Sequence, residues 1–346
     1  MSIAYSIVVP LKDEEANVEE LVVQTEKVMN SFNIPWEMIC IDDGSKDGTP
    51  DAARMLADPR IRFEAHTNNR GAGVVTRELI GAAQGEFIAL MNSDDAWVEG
   101  KLSEQVDFLR NNPAIGATFG RVRFVDRIDH GVPKRSLQFG KVFDEPNRSR
   151  GQWLRHFFFK GNCICHPTML IRRQCYEEVG VYDNRLRQLP DFEMWVRLVK
   201  RFDIHVAERT LLEFRLLPGE NASSDTPHNG VRTINEHMLV ATTFFDGVSR
   251  DLLIDGFSDL LIDPRLPTAI HVDIEKVMLL FQRAPGLEQM YKIVGLQKLY
   301  ALLASESHRP VLAREYGIDD ADFHRRMGEA DAFRPLPRLP DAVRRD

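Results

Sequence analysis

Residues 36–49 read WEMICIDDGSKDGT: an apolar run that stops on two adjacent aspartates, Asp42 and Asp43, followed by glycine and serine. A continuous apolar run bounded by turn residues reads as a strand buried on both faces, the kind found in parallel sheets. Thr49 is placed to cap a helix that starts there. Upstream, residues 5–10 (YSIVVP) form a second β-branched run, ended by proline. Between the two runs, residues 14–32 carry Val18, Leu21, Val22, Val28 and Met29 at helical spacing, with acids in the first turn. Downstream the alternation continues, with helices predicted over 49–57, 73–83 and 101–110 and strands over 61–65 and 87–91. Strands alternating with helices predict an α/β fold with a mostly parallel sheet flanked by helices.

In such sheets ligands sit in the loops beyond the carboxyl ends of the strands. The loops after Pro10, Ile41 and Met91 all carry carboxylates. The loop from Asp42 to Gly48 admits a plain turn, a calcium loop or a nucleotide pocket. The calcium reading fails, because Arg54 stands where a bidentate glutamate is needed and no helix precedes. In Met91-Asn92-Ser93-Asp94-Asp95-Ala96-Trp97, two adjacent carboxylates repel each other unless a positive group lies near. A hard divalent cation is the natural counterion, since magnesium takes one or two carboxylates plus phosphate oxygens. That pattern favours a metal–diphosphate site over a turn.

Asp191, in Leu189-Pro190-Asp191-Phe192-Glu193, stands at the start of a helix predicted over 191–201. From the residues alone it reads first as that helix's cap, and a general base is the functional alternative. Asn69-Arg70-Gly71-Ala72-Gly73, with Arg77 a turn further on, offers weak evidence for phosphate cradled at a helix start. The dinucleotide fingerprint and the GxxxxGK[ST] loop are both missing, which argues against nicotinamide, flavin and P-loop enzymes. Cys163-Ile164-Cys165-His166 lacks zinc-knuckle spacing and reads as buried cysteines, and residues 157–159 (FFF) read as core.

Composition sets wider limits. The chain has 346 residues, 43% hydrophobic and 28% charged, which suits two folded domains and excludes general disorder. With 44 basic against 52 acidic residues the net charge is −8, so no nucleic-acid partner is expected. No apolar run approaches ~18 residues, so no membrane-spanning helix is expected. No secretory signal is read at the N-terminus and four cysteines form no disulfide framework, so the expected location is cytoplasmic. Strand-like runs largely stop at Asn229, and helices are predicted over 231–245, 272–283, 287–304 and 321–327. The expected division is a catalytic domain over 1–228 and a mainly helical region over 229–346. Residues 127–150 are expected to form a long loop and the last dozen to be irregular.

The ordered set of these segments resembles the family 2 glycosyltransferases of GT-A fold. The matching pieces run from Val8-Val9-Pro10 and Glu15 through Ile41–Ser45, Asn69-Arg70-Gly71, Arg77, Gly85–Ile88, Ser93–Trp97, Lys101-Leu102 and Gln105. They continue with His166-Pro167-Thr168, Arg172-Arg173, Gly180–Asp183 and Asp191–Trp195 with Arg197, and cover about residues 3–225. The resemblance implies inverting transfer of one sugar from a nucleotide-sugar, with UDP-sugar the first choice of donor. The acceptor would be a hydroxyl of a glycan, glycolipid or other molecule, in surface polysaccharide or glycolipid synthesis. It implies that Asp43 accepts from the base N3–H, with Asp42 supporting that loop, and that the Pro10, Leu11 and Lys12 backbone contacts the base. Glu15 is counted with the donor-binding residues. Arg77 would hold the loop beside the donor, and Asp94 would lie near the ribose or sugar. Asp95 would bind a divalent cation, Mn2+ or Mg2+, and Asp191 would be the catalytic base with Glu193 in reserve. The family's Asp-x-Asp pattern stands here as Ser93-Asp94-Asp95. The Gln-x-x-Arg-Trp motif of processive synthases is absent, which implies a single sugar per encounter.

Two competitors stay in view. One is an inactive nucleotide-sugar-binding scaffold. The other is a sugar-nucleotide pyrophosphorylase, which would need a glycine-rich basic loop where this chain has residues 11–17. The C-terminal helices leave open a homodimer, peripheral contact with the cytoplasmic face of a membrane, or a wall for the acceptor site.

Overall fold

Strand β1 (Tyr5–Leu11) has parallel neighbours on both sides, β2 (Trp36–Asp42) and β4 (Phe87–Leu90). The computed structural model describes residues 3–31, 34–56, 58–93, 95–125, 142–215 and 226–331. Every residue of β2 is buried, which is why its sequence is continuously apolar rather than alternating. Beyond β2 lies β3 (Ile61–Ala65), again parallel. Helices α1 (Val18–Ser31), α2 (Thr49–Arg54), α3 (Ala72–Ala82) and α4 (Lys101–Asn111) alternate with these strands. Ile7, Val9, Met38, Phe87, Leu102, Val106 and Leu109 share one core. Gly48, not Thr49, is the N-cap of α2, and the Thr49 hydroxyl bonds Asp47 and Glu14 instead. The expected Thr49 cap is therefore corrected.

The far half of the sheet is mixed. Its other strands are β5 (Ala96–Trp97), β6 (Ile115–Val125), β7 (Leu170–Arg172) and β8 (Asp203–Arg215). Among the described residues the order is β3-β2-β1-β4-β7-β6-β8-β5. β7 runs antiparallel to β4 and β6, while β6 and β8 are parallel. The apolar pattern did not predict β6, because glycines and arginines interrupt it. Those glycines are packing positions: a Cβ on Gly116 would lie 2.7 Å from Phe202, and one on Gly120 would strike Leu211. Residues 127–141 of the expected loop lie outside the described residues.

The chain order places a switch beside β1, since successive strands go outward to β3 and then return to β4 on the opposite side. The loops after β1, β2 and β4 therefore open at the same carboxyl edge, where ligands bind in open α/β sheets.

The residues divide into two compact units, 1–148 with 162–232 and 149–161 with 233–346. The second is helical. Helix α5 (Arg150–Lys160) packs on α9 (Arg250–Phe257), and the backbones touch at Gly151 and Gly256. Phe157 and Phe158 are fully buried, as expected of core residues, and the Phe158 ring stacks on Tyr291 at 4.4 Å. Helix α10 (Ala269–Leu279) joins α11 (Glu288–Ala304) and α12 (Arg309–Glu315) through Ile274, Val277, Leu299, Leu303 and Leu312. α13 (Asp320–Glu329) ends the described helices. Among the described residues, no helix is long and apolar enough to cross a membrane. The first unit also holds α6 (Arg173–Val179) and α7 (Pro190–Val199), and α8 (Pro227–Thr243) spans the division.

Candidate donor and catalytic site

The loop after β2 is organised by its own aspartates. Asp42 accepts the Ser45 N–H at 3.0 Å and the Ser45 hydroxyl. Asp43 is 5% exposed, and a buried carboxylate needs donors. It finds them in the next loop: the Arg70 N–H at 2.6 Å on Oδ1 and the Gly71 N–H at 2.8 Å on Oδ2. That loop comes close enough only because residue 44 is glycine. Its φ is +68°, and a Cβ there would sit 2.7 Å from the Asn68 backbone.

The loop after β1 closes on the same structure. The Asp43 N–H donates to the Leu11 carbonyl at 2.9 Å. Lys12 Nζ donates to the Gly44 carbonyl at 3.2 Å and pairs with Asp13 at 2.7 Å. Asp13 also accepts the Lys46 N–H, and these two donors hold its carboxyl below the usual carboxylate range. Glu15 accepts the Gly48 N–H at 2.9 Å. Pro10, Leu11, Glu15, Asp42 and Asp43 are thus joined at one edge of the sheet. Arg77 is exposed on α3 and makes no ion pair among the described residues.

The loop after β4 supplies Asp95, 7% exposed. Its Oδ2 accepts the Asn92 amide at 3.2 Å and its Oδ1 accepts the N–H of Arg215, the last residue of β8, at 3.1 Å. Asp94 lies outside the described residues.

Asp191 lies in the first turn of α7, whose N-cap is Leu189 and whose first residue is Pro190. The capping reading is therefore corrected: Asp191 is inside the helix, and its Oδ1 accepts the adjacent Phe192 N–H at 2.8 Å. Its Oδ2 accepts the Asn162 amide at 2.7 Å. Glu193, the reserve base, forms a two-point pair with Arg197 at 2.6 and 2.7 Å, which commits it to structure.

Asp95 and Asp191 come from distant segments, yet both act on one buried thiol. Burial pushes Cys165 well above its ordinary value, and the two carboxylates add to the rise. Behind them sits Lys101, 1% exposed, with Nζ 2.9 Å from Gln105 Oε1 and 4.3 Å from the centre of the Trp97 ring. Burial pushes its ammonium down to about 7. Gln105 in turn donates to the Thr168 carbonyl at 2.8 Å. All four cysteines are buried and free.

The arrangement can hold a hard cation in a limited way. A carboxylate offers about four lone-pair sites, so the Asn92 and Arg215 donors do not by themselves bar a cation from Asp95. No group of three or more His, Cys, Asp or Glu able to hold a metal occurs among the described residues. Asp95 therefore fits as one ligand of a cation whose shell is completed by diphosphate and water oxygens. Reasoning from sequence missed Asn162, a lone amide without motif character, and the backbone N–H groups of Arg70, Gly71 and Arg215, which no side-chain pattern reports.

Comparison with known proteins supplies the family. The model of glycosyl transferase family 2 matches residues 6–180, just over half of the chain. An uncharacterized glycosyltransferase of Methanocaldococcus jannaschii is 25% identical over 167 residues, 47% of this chain and 53% of that protein. TuaG of Bacillus subtilis, named for teichuronic acid biosynthesis, is 26% identical over 63% of this chain and 81% of its own length. The succinoglycan biosynthesis protein ExoO of Rhizobium meliloti is 32% identical over 39% of this chain and 36% of that protein. The matches thus span about half of the first relative and about a third of ExoO. Residues 1–349 of Staphylococcus aureus TarS share the fold at a TM-score of 0.54 and 15% identity, over 91% of this chain and 92% of that one.

Proposed function

The chain belongs to glycosyl transferase family 2, and from that premise we propose that it moves one sugar from a UDP-sugar to an acceptor hydroxyl, with inversion, during synthesis of a surface polysaccharide or glycolipid. The observation that carries this reading is that two carboxylates far apart in sequence, Asp95 after β4 and Asp191 on α7, both raise the buried Cys165 thiol electrostatically. It supports reading the two as a cation ligand and a base that act on one donor.

The chemistry follows from that layout. A sugar hydroxyl is a weak nucleophile, so Asp191, steered by Asn162, takes its proton as the new bond forms. The acceptor oxygen bonds the anomeric carbon while the bond from that carbon to the diphosphate oxygen breaks, and the electron pair leaves with UDP. In-line attack inverts the carbon, and one base suffices. A divalent cation, Mn2+ or Mg2+, held by Asp95 would neutralise charge on the diphosphate. Asp43 receives the base N–H, with Asp42 and the Pro10–Leu11 backbone framing it. Glu15 holds the loop through Gly48, Arg77 is assigned to holding the loop beside the donor, and Asp94 to the ribose or sugar. TarS, alike in fold, has been solved with UDP-GlcNAc and with UDP, which supports the choice of donor. TuaG and ExoO, named for teichuronic acid and succinoglycan synthesis, support the choice of pathway.

The test pairs binding with turnover. UDP, dTDP, GDP and CDP are titrated calorimetrically, with and without Mn2+, into the wild type and Asp191→Asn. The variant should keep wild-type UDP binding and lose transfer by about 10²–10⁴-fold. Transfer at the wild-type rate would remove Asp191 as the base, and binding of a different nucleotide would replace the donor.

A further inference from the structure

The helical unit carries a cavity of about 590 Å³. That size lies within the ~300–1,000 Å³ of pockets that hold small molecules. One wall is a face of α10: Ala269, Val272, Asp273 and Lys276 recur at steps of three and four residues, so they stand on one side of the helix. The rest of the lining comes from Leu266, Pro267 and Thr268 before α10 and from Arg250 at the start of α9.

The segment before α10 is fixed in place. The fully buried Glu275 accepts the Ile262 N–H at 2.9 Å and the Asp263 N–H at 2.6 Å. The Leu266 N–H donates to the Asp263 carbonyl at 3.2 Å, and Leu266 takes φ +45°, which leucine seldom adopts. Arg250 is oriented by the same segment, its Nε donating to the Leu266 carbonyl at 3.2 Å and its Nη2 to the Arg265 carbonyl at 2.8 Å. Nη1 makes no hydrogen bond among the described residues; the Asp251 carboxylate lies 3.8 Å from it and is 93% exposed.

Lys276 is half-buried and makes no hydrogen bond or ion pair among the described residues. Burial pushes its ammonium below the ordinary lysine value, against the pull of Asp273 and Asp246. A half-buried ammonium without a partner is costly, and a bound anion would lower that cost. Asp273 is exposed and faces His308 Nε2 at 3.5 Å. The lining therefore combines two cations with free N–H groups, one carboxylate able to accept from a hydroxyl, and apolar surface on Pro267, Ala269 and Val272. An acidic sugar presents the matching set: C–H faces, hydroxyls and one anionic group. A neutral sugar would leave both cations unmet, and a hydrocarbon anion would offer Asp273 no donor.

We infer that this cavity binds an anionic saccharide, a sugar unit carrying a carboxylate or a phosphate, through Arg250 Nη1 and Lys276 Nζ. The inference goes beyond the donor-site reading and does not rest on it, because no residue assigned to the donor lines the cavity.

The experiment titrates glucuronic acid, glucose 1-phosphate and glucose into the intact chain by ligand-observed NMR, with excess UDP and Mg2+ present to fill the donor site. The proteins are the wild type, Lys276→Met and Val272→Glu, the last adding a negative charge to the same helix face. The two acidic sugars separate carboxylate from phosphate. At least one of them should bind the wild type about tenfold more tightly than glucose does, and should bind Lys276→Met about tenfold more weakly, the loss of one charge-assisted contact. Val272→Glu should weaken it in the same direction. Inorganic phosphate, added as a competitor, should displace the sugar only at about tenfold higher concentration. Thermal melts establish that each protein is folded, and should Lys276→Met fail to fold, Val272→Glu decides. Binding of neither acidic sugar, affinity unchanged in the folded variants, or inorganic phosphate competing on equal terms would each overturn the inference. A wild type that binds acidic sugar in this variant-sensitive way but no UDP would overturn the donor-site reading alone.

Discussion

Replacing Lys101 with methionine should make the protein more stable at pH 7 and less stable above about pH 9. The side chain is 1% exposed, and burial lowers its ammonium from 10.5 to about 7. At about 1.4 kcal/mol per pH unit, that drop corresponds to a ceiling of about 5 kcal/mol for keeping the charge in the core. The sign follows from proton counting. Below about pH 7 both states hold the proton and the folded state carries the full cost. Between about 7 and 10.5 only the unfolded chain is protonated, so stability rises with pH. Methionine keeps the length of the stem and removes the charge, but it leaves Gln105 Oε1 without its donor, a loss of about 1–3 kcal/mol. The net gain at pH 7 is about 2–4 kcal/mol, shrinking by about 1.4 kcal/mol per pH unit and changing sign near pH 9. Urea unfolding at pH 7, 8, 9 and 10, followed by tryptophan fluorescence, reads this directly, since Trp36, Trp97 and Trp195 all lie in the unit that contains Lys101. A variant less stable at pH 7 by an amount that does not change to pH 10 would refute the reasoning. It would mean that Trp97 and Gln105 compensate the buried ammonium fully.

Three further outcomes are expected. Asn162→Ala should lower kcat about 10- to 100-fold, because Asp191 loses a charge-assisted hydrogen bond, with UDP affinity unchanged; a parallel loss of UDP affinity would place Asn162 in the donor site instead. Asp95→Ala should abolish the enhancement of UDP binding by Mn2+ in calorimetry, and an enhancement of wild-type size would move the cation elsewhere. Gly256→Ala should cost about 3 kcal/mol in thermal melts, because its Cβ would overlap the Gly151 carbonyl oxygen and lie 2.8 Å from the Gly151 carbonyl carbon; an unchanged melting temperature would show that α5 and α9 separate there at little cost.

The legible parts of this protein are those where burial and sequence neighbourhood coincide. β1, β2 and β4 are buried on both faces, so their apolar runs are continuous, and the acids that end them had to stand at the carboxyl edge. The helical character of the C-terminal part was readable for the same reason. β6 was not, because Gly116 and Gly120 serve partners from β8 and its flank, which periodicity cannot show. Helix α5 was not predicted as a helix, since its apolar face meets residues around 256 and 291 rather than its own neighbours.

The sequence by itself determined an α/β fold with carboxylates after three of its strands, because backbone geometry and the hydrophobic pattern are local properties. The tertiary structure alone decided which groups each of those carboxylates meets. Glu193 is committed to Arg197, Asp42 to Ser45 and Glu15 to Gly48, while Asp191 and Asp95 converge on Cys165. Asp43 is held by Arg70 and Gly71 and faced by His66. The physical reason is that a carboxylate's surroundings depend on donors brought to it through space, and the decisive ones, such as Arg70 and Gly71 for Asp43, Asn162 for Asp191 and Arg215 for Asp95, come from far along the chain.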